Sequence, residues 1–127
     1  MQNTCSTLLP TLRTYFQTLY GEKLEQLILY GSQARGDAKP DSDIDILVIL
    51  TDPVDAWTEC DRTSQFIANL CLKHTVVIST AFVSYHRFQS EKSPFFLNVH
   101  REGLTLVSNP RQEDQKPGFC DNCCFIA

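Results

Sequence analysis

The sequence predicts a single α/β domain of the α+β type. Three stretches carry apolar residues at helical spacing, and aliphatic or β-branched runs stand between them. The 127 residues, 43% of them hydrophobic, suffice for one compact core, whereas two domains cut from this length would each be marginal.

Each element has its own signal. Leu8, Leu12, Phe16 and Leu19, with Tyr15 beside them, predict a first helix that Gly21 ends; Pro10 confines its regular part to the residues that follow. Leu27 to Tyr30 is a short apolar run closed by Gly31, and Ile44 to Leu50 is a longer one; both have the pattern of buried strands. In the stretch TDPVDAW, Thr51 or Asp52 is placed to cap a second helix and Pro53 to open it. That helix runs to about Lys73, with Trp57, Cys60, Ile67 and Cys71 on one stripe and Phe66 and Leu70 alongside. Thr75 to Val83, rich in β-branched residues, predicts a third strand. Ser93 and Pro94 cap and begin a last helix that Gly103 closes, and LTLV supplies a closing strand. Trp57, Phe95 and Phe96 read as core aromatics. Beyond Ser108 the chain turns polar and Pro-containing, so the domain is expected to span residues 4–108 and residues 109–127 to form a loose tail.

Composition excludes several functions. The net charge is −4 and the sequence pI about 5.2, so no global basic field gathers DNA or RNA, and a direct nucleic-acid ligand is not expected. No stretch approaches the roughly 20 apolar residues of a membrane span, and MQNTCSTLLP lacks the features of a signal peptide; a cytoplasmic location is expected. The six cysteines are expected to stay reduced, because Cys5, Cys60 and Cys71 fall in helical patterns and a core of this size needs no staples.

The chemistry lies in ILYGSQARGDAKPDSDIDILVIL, residues 28–50. Gly31 and Ser32 leave the end of a strand, where a residue without a side chain lets backbone N–H groups approach an anion and a hydroxyl adds a donor. Asp43 and Asp45 stand at the start of the next strand, and its period of two sends both carboxylates to one face while Ile44 points to the core. Two adjacent carboxylates repel unless a cation sits between them. Mg²⁺ is the ion that binds through one or two carboxylates plus substrate phosphates and water. A triphosphate between the Gly-Ser turn and the aspartates has its α-phosphorus open to an in-line nucleophile, which is the chemistry of nucleotidyl transfer.

Gly-Ser, ten residues, then Asp-Ile-Asp resembles the signature of the polymerase β-like nucleotidyltransferase superfamily, and GSQARGDAKPDSDIDILV is similar to its small prokaryotic branch, the minimal nucleotidyltransferases or MNT proteins. The resemblance implies a small mixed β-sheet flanked by helices that binds ATP and Mg²⁺. It also implies an antitoxin role beside a HEPN-domain RNase toxin, exercised by transferring AMP to a tyrosine of that toxin, with any oligomer formed through the toxin complex. On this basis Gly31 and Ser32 match the phosphate-binding pair, Asp43 and Asp45 the catalytic metal ligands, and Arg35 a loop residue that contacts phosphate.

One departure bears on activity. Family members carry a third carboxylate on the next core strand, and HTVVISTAF has none; the expected position aligns with Thr75, with Ser79 on the same face. A hydroxyl is a far weaker metal ligand and no general base near neutral pH. Asp41, of the same parity as Asp43 and Asp45, is a candidate substitute. The alternative to an enzyme is therefore an antitoxin that has lost efficient catalysis and neutralises its partner by binding alone.

Other features carry less. Asp37 and Lys39 read as solvated loop residues, and His74, His86 and His100 share no metal-ligand spacing with the cysteines. The tail holds CDNCC, half of a zinc site at most, and ends in CFIA, a prenylation-like box without a polybasic neighbour.

Overall fold

The computed structural model describes residues 4–36 and 43–108. Asp37, Lys39, Asp41 and the tail from residue 109, with its CDNCC and CFIA stretches, lie outside them.

The first helix, α1 (Thr4–Tyr20), buries Leu8, Leu12 and Phe16 along one stripe. It runs straight through Pro10, against expectation. Pro10 is exposed, so its ring removes one backbone hydrogen bond on the wet side, and the packing of Leu8 and Leu12 around it outweighs that loss. Gly21, at φ 55°, ends α1 as expected and begins a 3₁₀ turn, Gly21–Lys23.

Strand β1 (Leu24–Tyr30) begins three residues earlier than the apolar run predicts. Glu25 precedes that run, yet it is buried, and the Thr51 hydroxyl donates to its Oε2 over 2.7 Å. After Gly31 comes a single turn, α2 (Ser32–Arg35). Strand β2 (Ile44–Leu50) occupies the span its sequence predicts and pairs antiparallel with β1.

Helix α3 (Ala56–His74) starts later than expected because Asp55, not Thr51 or Asp52, is its cap. The Asp55 carboxylate accepts from the Thr58 amide and, at 2.8 Å, from the Thr58 hydroxyl, satisfying the first turn better than a proline start. Its inner face carries Thr63, Phe66, Ile67 and Leu70. Trp57 lies roughly 130° around from that face at 100° per residue, and it is 85% exposed rather than a core aromatic. Cys60 is exposed and Cys71 half-buried; both are free thiols.

Strand β3 (Ile78–Ser84) is also shorter than predicted. Thr75, Val76 and Val77 have strand-like composition, but Thr75 is the left-handed cap of α3 at φ 55°, its N–H bonded to Cys71 O. A short helix, α4 (Tyr85–Ser90), was not predicted from its polar sequence; Ser84 caps it and Phe88 anchors it in the core. Ser93 and Pro94 begin α5 (Pro94–Glu102) as expected, and β4 (Leu104–Ser108) closes the chain against β1. Phe96 is buried, whereas Phe95, expected in the core, is 41% exposed.

The sheet has the order β3-β2-β1-β4, with β2 and β3 parallel and the other pairs antiparallel. This is the expected mixed sheet flanked by helices. Ile44, Ile46, Val48 and Leu50 pack beneath α1 and α3, while Leu47 and Ile49 meet Phe88, Phe96 and Val99 from α4 and α5. Burial of β2 on both faces holds fixed the register of whatever its first residues carry. No helix among the described residues is long and apolar enough to cross a membrane.

A polar latch joins α1 to α3. The Tyr20 hydroxyl donates to Glu59 Oε1 over 2.7 Å, Arg62 Nε donates to the same oxygen over 2.9 Å, and Tyr15 stacks on Phe66 with centroids 3.6 Å apart. Burial, and then the bond to Glu59, push the Tyr20 phenol well above its ordinary value of 10.0. The fold therefore favours the neutral phenol: its contribution is complete below pH 10.0 and is lost as pH rises through the folded value. Tyr20→Phe is expected to lose about 1 kcal/mol at neutral pH and to show a shallower alkaline decline than the parent, measured by urea melts across pH 7–11.

Candidate active site

The site forms where β1 ends and β2 begins. Antiparallel pairing sets Tyr30 opposite Asp45, so the residue after β1, Gly31, abuts the first carboxylate of β2. Gly31 has φ 77° and ψ −157°, a backbone conformation that L side chains rarely adopt. A Cβ added there would overlap Asp45 Oδ2. Both requirements select glycine. Beyond it, Ala34 N and Arg35 N each donate to Gly31 O over 3.1 Å, winding Ser32–Arg35 into α2 until Gly36 stops the turn at φ 85°.

The structure thus brings Gly31, Ser32 and Asp45 together at one strand end, with Asp43 on the same face two residues before Asp45. Asp43 is exposed and Asp45 half-buried. Burial, and next the charge of Asp43, raise the Asp45 carboxyl above the usual carboxylate range. Tyr30, on Asp45's other side, has its phenol raised by burial and by the Asp45 charge. A half-buried acid beside a second acid is a site short of positive charge. Its donor set fits a hard divalent cation held by two carboxylates, with phosphate oxygens and water completing the shell. Among the described residues there is no group of three or more His, Cys, Asp and Glu that such an ion would bind without substrate.

Parallel pairing with β3 decides what stands on the far side. Ser79 is opposite Asp45, and Ile78 opposite Ile44. Val77 O accepts from Ile44 N over 2.9 Å, which carries the same register one step further and sets Val77 beside Asp43. Thr75, the expected third position, lies two residues before Val77 and caps α3 in the left-handed region at φ 55°. The neighbours of the two aspartates are therefore Val77, 55% exposed and directly before β3, and Ser79 on β3.

Three nearby residues escaped the sequence. Tyr30 shares the face of Asp45, a placement that its position directly before Gly31 implies. Phe95, from α5, meets the Tyr30 ring edge-on at 5.3 Å. Glu102, at the end of α5, places Oε1 3.6 Å from Arg35 Nη1; no local pattern joins residues 67 apart. His100 is exposed and stacked on Phe88, with Nε2 3.1 Å from Phe88 O, a structural role away from the aspartates.

Gly31→Ala is a direct test of this packing. The methyl group meets an unfavourable φ and displaces the Asp45 carboxylate, so the variant is expected to lose about 1–2 kcal/mol of stability and at least tenfold in Mg·ATP affinity, read by melting curves and calorimetry.

A glycine turn thus packs against Asp45 at the start of β2, with Asp43 just before it, at one end of a mixed sheet. Residues 9–99 match the family model described as nucleotidyltransferase domain, and the chain belongs to that family. It is 34% identical over 88 residues to "Putative protein adenylyltransferase MJ0604" of Methanocaldococcus jannaschii, covering 68% of this chain and 82% of the relative. Among solved structures it shares its fold with a chain of a toxin–antitoxin crystal structure with AMP-PNP (TM-score 0.57, 18% identity, 81% of this chain and 76% of the other). The same holds for a chain of the complex of tri-AMPylated Shewanella oneidensis HEPN toxin with MNT antitoxin (TM-score 0.51, 19% identity, 86% and 76%). The nucleotidyltransferase resemblance drawn from the Gly-Ser and Asp-Ile-Asp pattern is borne out.

Proposed function

We propose that this chain, through a domain spanning residues 4–108, is a Mg²⁺-dependent protein adenylyltransferase that acts as the antitoxin of a HEPN RNase toxin in the cytoplasm. The observation that carries the proposal is the packing of side-chain-free Gly31 against the Asp45 carboxylate, with Asp43 two residues before it, where β1 ends and β2 begins. The similarity to an adenylyltransferase and the fold shared with chains of toxin–antitoxin complexes support the acceptor class.

In this mechanism Gly31 and Ser32 hold the β- and γ-phosphates of ATP, with Arg35 contacting phosphate. Asp43 and Asp45 would hold Mg²⁺, which when bound neutralises charge on the triphosphate. The acceptor hydroxyl of the toxin attacks the α-phosphorus in line; the bond to the bridging oxygen breaks, and pyrophosphate leaves with that electron pair. The hydroxyl proton passes to solvent.

The test is the intact mass of a co-expressed HEPN partner after incubation with this chain, ATP and Mg²⁺. Adenylyl-sized increments are expected, and a partner of unchanged mass overturns the transferase assignment. The second reading, neutralisation by binding alone, is favoured by Val77, directly before β3, and Ser79, on it, neither an acid, beside the aspartates. It predicts a stable complex and a suppressed RNase without any mass change.

A further inference from the structure

Glu102 is held in place by the residue that follows it. A Cβ on Gly103 would meet Val99 O at 2.6 Å and also Ile28 Cγ2, so only glycine lets the last turn of α5 lie flush on β1; Gly103 N closes that turn on Val99 O over 2.8 Å. The Glu102 carboxylate is thereby delivered to α2. One oxygen stands 3.6 Å from Arg35 Nη1 and the other 3.6 Å from Arg101 Nη2, with the Glu102 and Arg35 side chains 33% and 45% exposed.

An acid at this place calls for a reason. The chain already carries net negative charge, and Asp43 and Asp45 concentrate it at the site. A further carboxylate near a triphosphate repels it unless it acts through a cation. Arg35 supplies that cation at the end of the four-residue turn α2. A guanidinium presents donors on two edges of a rigid plane, so a carboxylate that engages one edge orients the other.

We propose that Glu102 is a positioning residue for nucleotide binding: it orients the Arg35 guanidinium toward the phosphates and so couples the end of α5 to the Gly-Ser turn. The inference rests on Gly31, Ser32 and Arg35 forming the nucleotide-binding group.

The experiment is a double-mutant cycle on Mg·ATP affinity, measured by calorimetry on the full chain with Glu102→Gln, Arg35→Ala and the two combined, each paired with a melting curve. Glu102→Gln is expected to weaken binding about five- to tenfold and to have no further effect once Arg35 is alanine. An equal loss in both backgrounds, an unchanged affinity with a lowered melting point, or tighter binding by Glu102→Gln, the mark of a carboxylate that competes with phosphate, each overturns the positioning role. Should Glu102→Gln not fold, Glu102→Asp is expected to give a smaller loss that likewise depends on Arg35. Parent protein that binds no Mg·ATP overturns the nucleotide assignment itself and the inference with it, an outcome distinct from a parent that binds and a variant that matches it.

Discussion

Replacing Asp43 and Asp45 together by asparagine is expected to abolish nucleotide transfer while leaving the domain folded and, without metal, more resistant to heat. The loss follows from the donor set. Two amides do not replace two anionic oxygens around a hard divalent cation, and such an ion supplies several kcal/mol of charge stabilisation, on the order of 10³-fold or more in rate. The gain in stability follows from repulsion. Burial and the neighbouring Asp43 charge raise the Asp45 carboxyl, so the folded state disfavours its ionised form. For a carboxyl raised on folding, the penalty is present above the folded value and is relieved as pH falls through it. The variant's advantage in melting temperature is therefore expected at neutral pH and should vanish in acid below the ordinary carboxylate range. Intact-mass assays with Mg²⁺ and ATP, run beside melting curves at both pH values, read the two effects separately. Transfer by the double variant at the parental rate would falsify the metal role of the pair.

The grouping of glycine and carboxylates at this strand end was legible because it is local. Gly31, Ser32, Asp43 and Asp45 lie within fifteen residues, and their relation depends only on a strand, a turn and the two-residue period of the next strand. The span of β2 was equally plain, since a strand buried on both faces must be apolar almost throughout, and the Ser93-Pro94 start of α5 followed from capping chemistry. What failed was whatever needed a third dimension. Trp57 reads as core by residue type, yet only the angle set by Thr63, Phe66 and Leu70 shows that it faces water. Helix α4 is hidden because a single buried side chain, Phe88, is enough to fix a six-residue helix capped by Ser84. Thr75, Val76 and Val77 are β-branched and composed like a strand, but the end of α3 claims the first of them for a left-handed cap. That local contest moved the expected third position by two residues. The pairing of Arg35 with Glu102 depends on α5 docking against β1, which no pattern along the chain records.

Val77→Asp, not Thr75→Asp, is expected to tighten Mg²⁺ binding and accelerate transfer. Val77 O accepts from Ile44 N, and the parallel register places the Val77 side chain on the edge beside Asp43, while Ser79 stands beside Asp45. Val77 is 55% exposed, so a carboxylate there keeps its hydration and brings little desolvation penalty. Without metal, three neighbouring acids repel one another, and the variant should melt below the parent; with Mg²⁺ the order should reverse, because the added oxygen ligand binds the folded state alone. A base beside the acceptor hydroxyl contributes on the order of 10²-fold. Thr75→Asp is the control. Thr75 is exposed at φ 55° on the cap of α3, where aspartate tolerates the left-handed backbone, so folding is retained and transfer unchanged. Single-turnover transfer to a HEPN partner, together with melting curves with and without Mg²⁺, separates the cases. Acceleration by Val77→Asp alone identifies the β3 edge as the place where catalytic power was given up. Acceleration by Thr75→Asp would mean that the β2–β3 register does not govern the site, and a slow Val77→Asp enzyme with Mg²⁺-dependent stabilisation would show that the added ligand binds the ion without serving as the base.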